Sequence, residues 1–141
     1  MVPKKYVPNS LTKNDSNKQK ESLRKSRKLY KKGIYYTRPK IKSFKSKISP
    51  HILKARKLYS IDSIKPSKEL SIKTKCSMTG LKKIVKKGMG AYYSSGSRPN
   101  QTAESWGIAR LASAITGGKS SKVDYHLLKK YCKSNSKAIK M

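Results

Sequence analysis

The chain has 141 residues, room for one compact domain or a small domain with tails. It carries 36 Lys plus Arg against 6 Asp plus Glu, a net charge of +30, and only 35% of its residues are apolar. This composition argues against a self-contained enzyme with a deep core. No run approaches the ~18 consecutive apolar residues of a membrane span. Cys76 and Cys132 are the only cysteines, and the N-terminus has no signal-peptide pattern, so reduced thiols are expected rather than a disulfide scaffold. What remains is a protein that lives beside a polyanion or an acidic protein surface.

The basic residues are 30 Lys and 6 Arg. Lysine is a hydrated point charge, whereas arginine supplies the planar fork that reads guanine edges, so the excess favours backbone neutralisation over sequence reading. A Lys-rich, Ile-rich, Asn-rich chain is also what an AT-rich genome yields. Residues 1–65 carry a net +17 and residues 66–141 a net +13. Between Gly88 and Gly118 the only charges are Arg98, Glu104 and Arg110. That neutral stretch is the expected packed part.

In chain order, residues 1–65 read as a basic, largely extended arm with short helices. Pro3 and Pro8 keep its start extended. Thr12 with Asp15 resembles a capping box, and Gly33 is a helix stop after Lys31 and Lys32. Between Thr12 and Ser22 no residue is apolar, so a helix there is stable only against a partner. Residues 34–49 read as a Lys-studded strap, and Ser49-Pro50 opens a helix to about Tyr59. A six-residue pattern recurs: Lys25-Ser26-Arg27-Lys28-Leu29-Tyr30 returns as Lys54-Ala55-Arg56-Lys57-Leu58-Tyr59. The echo fits either two basic helix ends or two equivalent anchors.

Residues 66–132 read as a compact module of three to four short helices, followed by a basic tail at 133–141. One helix covers 67–74. A second, capped by Ser77, packs Leu81, Ile84 and Val85 on one face and stops at Gly88. A third, capped by Thr102 or Asn100, carries the stripe Ile108, Leu111, Ala112 and Ile115. A fourth covers 121–132, with Val123, Leu127 and Tyr131 inward. Trp106 and the Tyr92-Tyr93 pair supply bulk to this small core. No strand periodicity is visible, so the class is all-α with a long extended N-terminal arm.

Residues 69–84 resemble a helix-turn-helix, with Ser71 at the helix crossing, Cys76 and Leu81 buried, and Lys82 and Lys83 outward. An ordinary helical hairpin accounts for the same pattern, because Lys75 stands where Gly is usual and Gly80 lies inside the second helix. The candidate polyanion contacts are Lys25, Arg27, Lys28, Lys31 and Lys32; Lys54, Arg56 and Lys57; and Lys82, Lys83, Lys86 and Lys87. A loop containing Gly88, Gly90, Ser94, Ser95, Ser97 and Arg98, with Arg110 and Lys119 near it, is a candidate for phosphate cradling or partner docking. Ser113 to Ser120 misses a Walker A loop, since it follows a helix and begins with Ser. The scattered carboxylates, His51, His126 and the two cysteines form neither an acid–base pair nor a zinc set. No enzyme activity, cofactor, metal or small-molecule substrate is expected.

Several stretches carry a resemblance. They are Lys5-Tyr6-Val7-Pro8-Asn9-Ser10-Leu11, Arg27 to Gly33, Tyr36-Thr37-Arg38-Pro39, Lys42 to Lys47, Gly88-Met89-Gly90-Ala91-Tyr92, Ser97-Arg98-Pro99, Ser105-Trp106-Gly107 and Ala109 to Ser113. Together they resemble an uncharacterised family of short basic proteins of giant (nucleocytoplasmic large) DNA viruses. The resemblance implies a virion product, found in the cytoplasm or viral factory of the infected cell, and supplies no mechanism. Two roles follow as expectations. One is a minor capsid or cement protein whose arm is ordered by neighbouring virion subunits and touches the internal membrane surface. The other is a protein that condenses viral genomic DNA without reading its sequence.

Overall fold

Eight α-helices and a short 3-10 turn carry the chain in a computed structural model that describes residues 4–45 and 48–140; no strand occurs among them. The all-α class is as expected. Pro3, Ser46 and Lys47, read as parts of the arm and strap, lie outside the described residues. Two units, each discontinuous in sequence, divide the chain. Unit 1 takes Met1–Lys47 and Met89–Trp106, and unit 2 takes Ile48–Gly88 and Gly107–Met141, so neither boundary falls at residue 65.

Unit 1 begins with the turn Lys4–Tyr6 and helix α1, Lys13–Tyr30. Thr12 caps α1 by accepting from the Asp15 amide at 3.2 Å, as the sequence predicts. The extended arm is corrected here, because α1 is a regular 18-residue helix with a buried face. That face is Gln19, Ser22, Leu23 and Ser26, a helical stripe in which three of four residues are polar. Their polar atoms are satisfied internally. Gln19 Nε2 donates to the Tyr6 carbonyl at 3.1 Å, Ser22 to the Gln19 carbonyl at 3.0 Å, and Ser26 to the Tyr93 carbonyl at 3.4 Å. The partner this polar helix needs is therefore its own unit.

After Gly33, at φ +79°, residues 34–41 take no regular secondary structure and the chain turns at Lys42-Ser43. It is pinned by Asn100, whose side chain accepts from the Ile41 amide at 2.6 Å and donates to the Ile41 and Phe44 carbonyls at 3.1 and 3.0 Å. Ile41 is consequently buried. Asp15 accepts from the Ser43 amide at 2.9 Å, and hydrogen bonds from Ser43 hold its carboxyl below the usual range.

Unit 2 holds α2 (Pro50–Tyr59), α3 (Lys68–Thr74), α6 (Lys119–Val123), α7 (Tyr125–Tyr131) and α8 (Lys137–Lys140). Ser49 and Ser67 cap α2 and α3 with their side chains. Two helices contribute to both units: α4 (Met78–Ser94) and α5 (Ala103–Ile115). The core of unit 2 includes Leu70, Leu81, Ile84, Val85, Leu111, Ile115 and Leu128, all buried.

Three expected elements change. Helix α4 does not stop at Gly88 but continues to Ser94. Its glycine is there for packing: a Cβ at Gly88 would sit 2.6 Å from the Gly107 Cα. The expected fourth helix breaks at Asp124 into α6 and α7, because that carboxylate is fully buried. In consequence Leu128, not Leu127, is the buried leucine. Leu127, Trp106 and Ile108 are only half-buried, and Val123 is exposed.

Candidate nucleic-acid interface

Lys82, Lys83 and Lys86 stand exposed on α4, while Leu81, Ile84 and Val85 of the same turns are buried. The separation follows from helical spacing alone and matches the sequence reading. Tyr131, at the end of α7, joins this basic row. Its ring lies 5.2 Å from Lys83 Nζ and 5.4 Å from Lys130 Nζ. The ammonium groups of Lys83 and Lys130 hold the phenol's pKa below its ordinary value. Gly80 makes the arrangement fit, since a Cβ there would lie 2.3 Å from the Tyr131 Cβ. The glycine that weakens α4 as a helix admits an aromatic to its basic face.

Lys87 belongs to a different assembly. Its Nζ lies 3.1 Å from Asp124 Oδ1, and Arg110 grips the same carboxylate with Nε–Oδ2 2.9 Å and Nη2–Oδ1 2.8 Å. Burial alone would push the Asp124 carboxyl up, but hydrogen bonds from Arg110 and Lys87 outweigh it and hold the group below its usual range. Lys87, still exposed, and Arg110 thus serve as counter-ions to Asp124, so both charges named as polyanion or docking-loop contacts are already paired with a carboxylate. No other ion pair occurs among the described residues.

The turn between α3 and α4 is short, and Lys75 takes the left-handed conformation, φ 58°, that glycine usually fills. The α3–α4 segment is therefore two helices joined by a tight turn. Its turn pairs with the end of α7: the Ser77 amide donates to the Tyr131 carbonyl and the Lys133 amide to the Lys75 carbonyl, both at 2.8 Å. Between these bonds Cys76 and Cys132 face each other and form a disulfide. The expectation of reduced thiols is corrected. The cysteines stand 56 positions apart in sequence, and only the folded path of α4 to α7 brings them together.

The candidate phosphate loop also changes. Gly88, Gly90 and Ser94 lie within α4, so their amides are spent on the helix. Ser97 is buried, donates to the Arg98 carbonyl at 2.8 Å and accepts from Arg38 at 2.7 Å. Ser95 and Arg98 are exposed. At Lys119 the turn closes on itself, with the Gly118 amide donating to the Ser113 carbonyl and the Ser120 amide to Ser113 Oγ.

Arg38 was read only as part of the strap, yet it is the best-buried cation, 7% exposed. Its guanidinium donates to Ser26 Oγ at 3.1 Å, the Tyr92 carbonyl at 2.8 Å and Ser97 Oγ, and lies 3.8 Å from the Tyr92 ring centroid. Burial lowers its affinity for the proton. No sequence signal marks it, because every partner is neutral. Arg27 is half-buried, with its Nε shielded from solvent and without a hydrogen-bond partner. It lines a cleft of about 790 Å³ with Lys13, Lys20, Arg24, Pro8 and Leu11.

Lys25, Lys28, Lys31, Lys32, Lys54, Arg56 and Lys57 are exposed, as expected. The repeated pattern gives one helix end to each unit: Ser26 and Ala55 are both buried, whereas the tyrosines differ. Tyr59 is buried and donates to the Ile115 carbonyl at 2.5 Å, and burial pushes its phenol up to about 12. Tyr30 stacks on Tyr93 instead, centroids 6.0 Å apart.

The described residues contain no helix long and apolar enough to cross a membrane and no group of three metal-ligating side chains. A model described as a family of unknown function, DUF5824, matches residues 3–135, and the chain belongs to that family. No curated protein and no solved structure matches it.

Proposed function

We propose that this protein is a non-enzymatic, charge-neutralising binder of duplex nucleic acid that does not read its sequence. The observation that carries this reading is the exposed row Lys82, Lys83 and Lys86 beside the Lys83–Tyr131–Lys130 cluster. None of these lysines is paired with a carboxylate among the described residues. Lysines at this spacing displace counter-ions along a phosphate backbone and supply no planar fork for base edges. Helix α4 follows α3 across a tight turn, and its outward lysines suit a phosphate backbone better than a base pair.

On this reading the resemblance to basic proteins of giant DNA viruses supports viral genomic DNA as the polyanion and the virion as the place. A minor capsid or cement role invokes an arm ordered by neighbouring subunits; Gln19, Leu23 and Ser26 of that arm are buried within their own unit, which favours the nucleic-acid reading. The test is the Lys82→Glu, Lys83→Glu double variant. Its duplex affinity at about 0.1 M salt is expected to fall at least ~10-fold, since each lost contact also weakens the salt dependence. Unchanged affinity sinks the assignment of α4.

A further inference from the structure

Unit 1 carries a second surface of different chemistry. Behind the α1 C-terminus, the Ile34 amide donates to the Leu29 carbonyl at 3.0 Å and Gly33 takes its positive φ, reversing the chain. The reversal lays Tyr35 over two other rings, with centroids 5.0 Å from Tyr93 and 6.1 Å from Tyr30. Tyr30 and Tyr93 are themselves parallel to within 10°. Tyr92, buried and clamped by Arg38, meets Tyr93 edge-on at 5.1 Å and fixes the base of the stack.

The outermost ring does not cover itself. Tyr35 is 71% exposed, the most exposed large hydrophobic residue described. Lysines flank it in sequence: Lys28, Lys31 and Lys32 are exposed at the same helix end, and Lys25 Nζ lies 4.8 Å from the ring centroid of the adjacent Tyr36. Three carboxylates belong to the unit, Asp15, Glu21 and Glu104, and none forms an ion pair with a lysine or arginine. An exposed aromatic tilted by 33° on a stacked tyrosine pair, with exposed lysines close by in sequence, matches what an unpaired base and its phosphates need. A lipid surface would want a wider aliphatic patch, and Ile34 is the only exposed large aliphatic described in this unit.

We propose that the Tyr35 platform stacks unpaired bases, so that unit 1 binds single-stranded nucleic acid. The inference rests on the polyanion reading and adds a base-dependent component to it. The experiment compares labelled 12-mers of thymidine and of abasic linker, equal in phosphate count, by fluorescence anisotropy at one salt concentration with the full chain.

Thymidine strands are expected to bind about 5-fold or more tighter than abasic strands, the lower end of what one stacked base contributes. Tyr35→Ala should abolish that difference, and Tyr35→Phe, which keeps the ring, should retain it. Equal, measurable binding of both strands overturns the platform and leaves the phosphate reading standing. Binding of neither strand nor duplex overturns both. A Tyr35→Ala variant that loses binding to phosphatidylserine vesicles while keeping the thymidine preference assigns the ring to a membrane and overturns the proposal.

Discussion

Unit 1 buries a cation and unit 2 buries an anion, and each solves the desolvation problem with different partners. Arg38 is surrounded by two hydroxyls, a carbonyl and a ring face, all neutral. Asp124 is bracketed by Lys87 and Arg110. With 36 basic and 6 acidic side chains, cations are abundant and counter-ions scarce. A buried carboxylate finds partners at once, whereas a buried guanidinium has to be solvated by dipoles. The same contrast runs through the repeated helix end, where Tyr59 is absorbed into a core and Tyr30 joins an open stack.

The largest difference to test is covalent. Unit 2 has the Cys76–Cys132 cross-link. Replacing both cysteines with serine should destabilise that unit by about 4 kcal/mol, the loop-closure value for a loop of this length. Denaturant melts give the number, and alkylation with intact mass confirms the bond in the wild type; free thiols in the native, unreduced protein would remove it from the account.

The buried charges come next. Asp124→Asn leaves two cations without their carboxylate and should cost about 3 kcal/mol at neutral pH. Because the folded carboxyl titrates below its unfolded value, this contribution is present above the ordinary carboxylate range and is lost as pH falls through the folded value. The wild-type advantage over Asp124→Asn should therefore shrink on acidification. An Arg38→Met variant should differ from wild type by an amount that stays level over the same range, since the guanidinium remains charged throughout. Melts of the three proteins from pH 7 to pH 3 separate the two behaviours.

A smaller contrast lies along α4. Gly88→Ala would drive its Cβ into the backbone of α5 and should destabilise by about 1–3 kcal/mol. Two residues on, a Cβ at Gly90 would meet nothing closer than the Tyr30 hydroxyl at 3.8 Å. Gly90→Ala should stabilise by about 0.5–1 kcal/mol through helix propensity. Opposite signs in thermal melts sharpen the account, and equal signs break it.

These contrasts show where the sequence was legible. Caps at Thr12, Ser49, Ser67 and Ser77 marked helix starts, because a side-chain acceptor before a helix is a local device. The apolar stripe of Leu81, Ile84 and Val85 was equally plain. The buried face of α1 was not, since its stripe is written in Gln and Ser, and polar residues declare burial only when their partners are known. Gly88 looked like a helix stop because propensity speaks for one residue at a time, while the reason for that glycine is a backbone on another helix. At the candidate interface, Lys82 and Lys83 were readable as outward cations. Lys87 was not separable from them, because its carboxylate lies 37 residues away.

The central claim is that exposed lysines on α4 and around Tyr131 bind phosphates regardless of sequence. Titrating duplex DNA of two unrelated sequences with the full chain between about 50 and 200 mM salt tests it most directly. The account predicts a steep linear loss, with a log–log slope of about −4 or steeper, and the same slope for both sequences. A shallow slope, or affinities that differ by more than ~10-fold between the sequences, would contradict it.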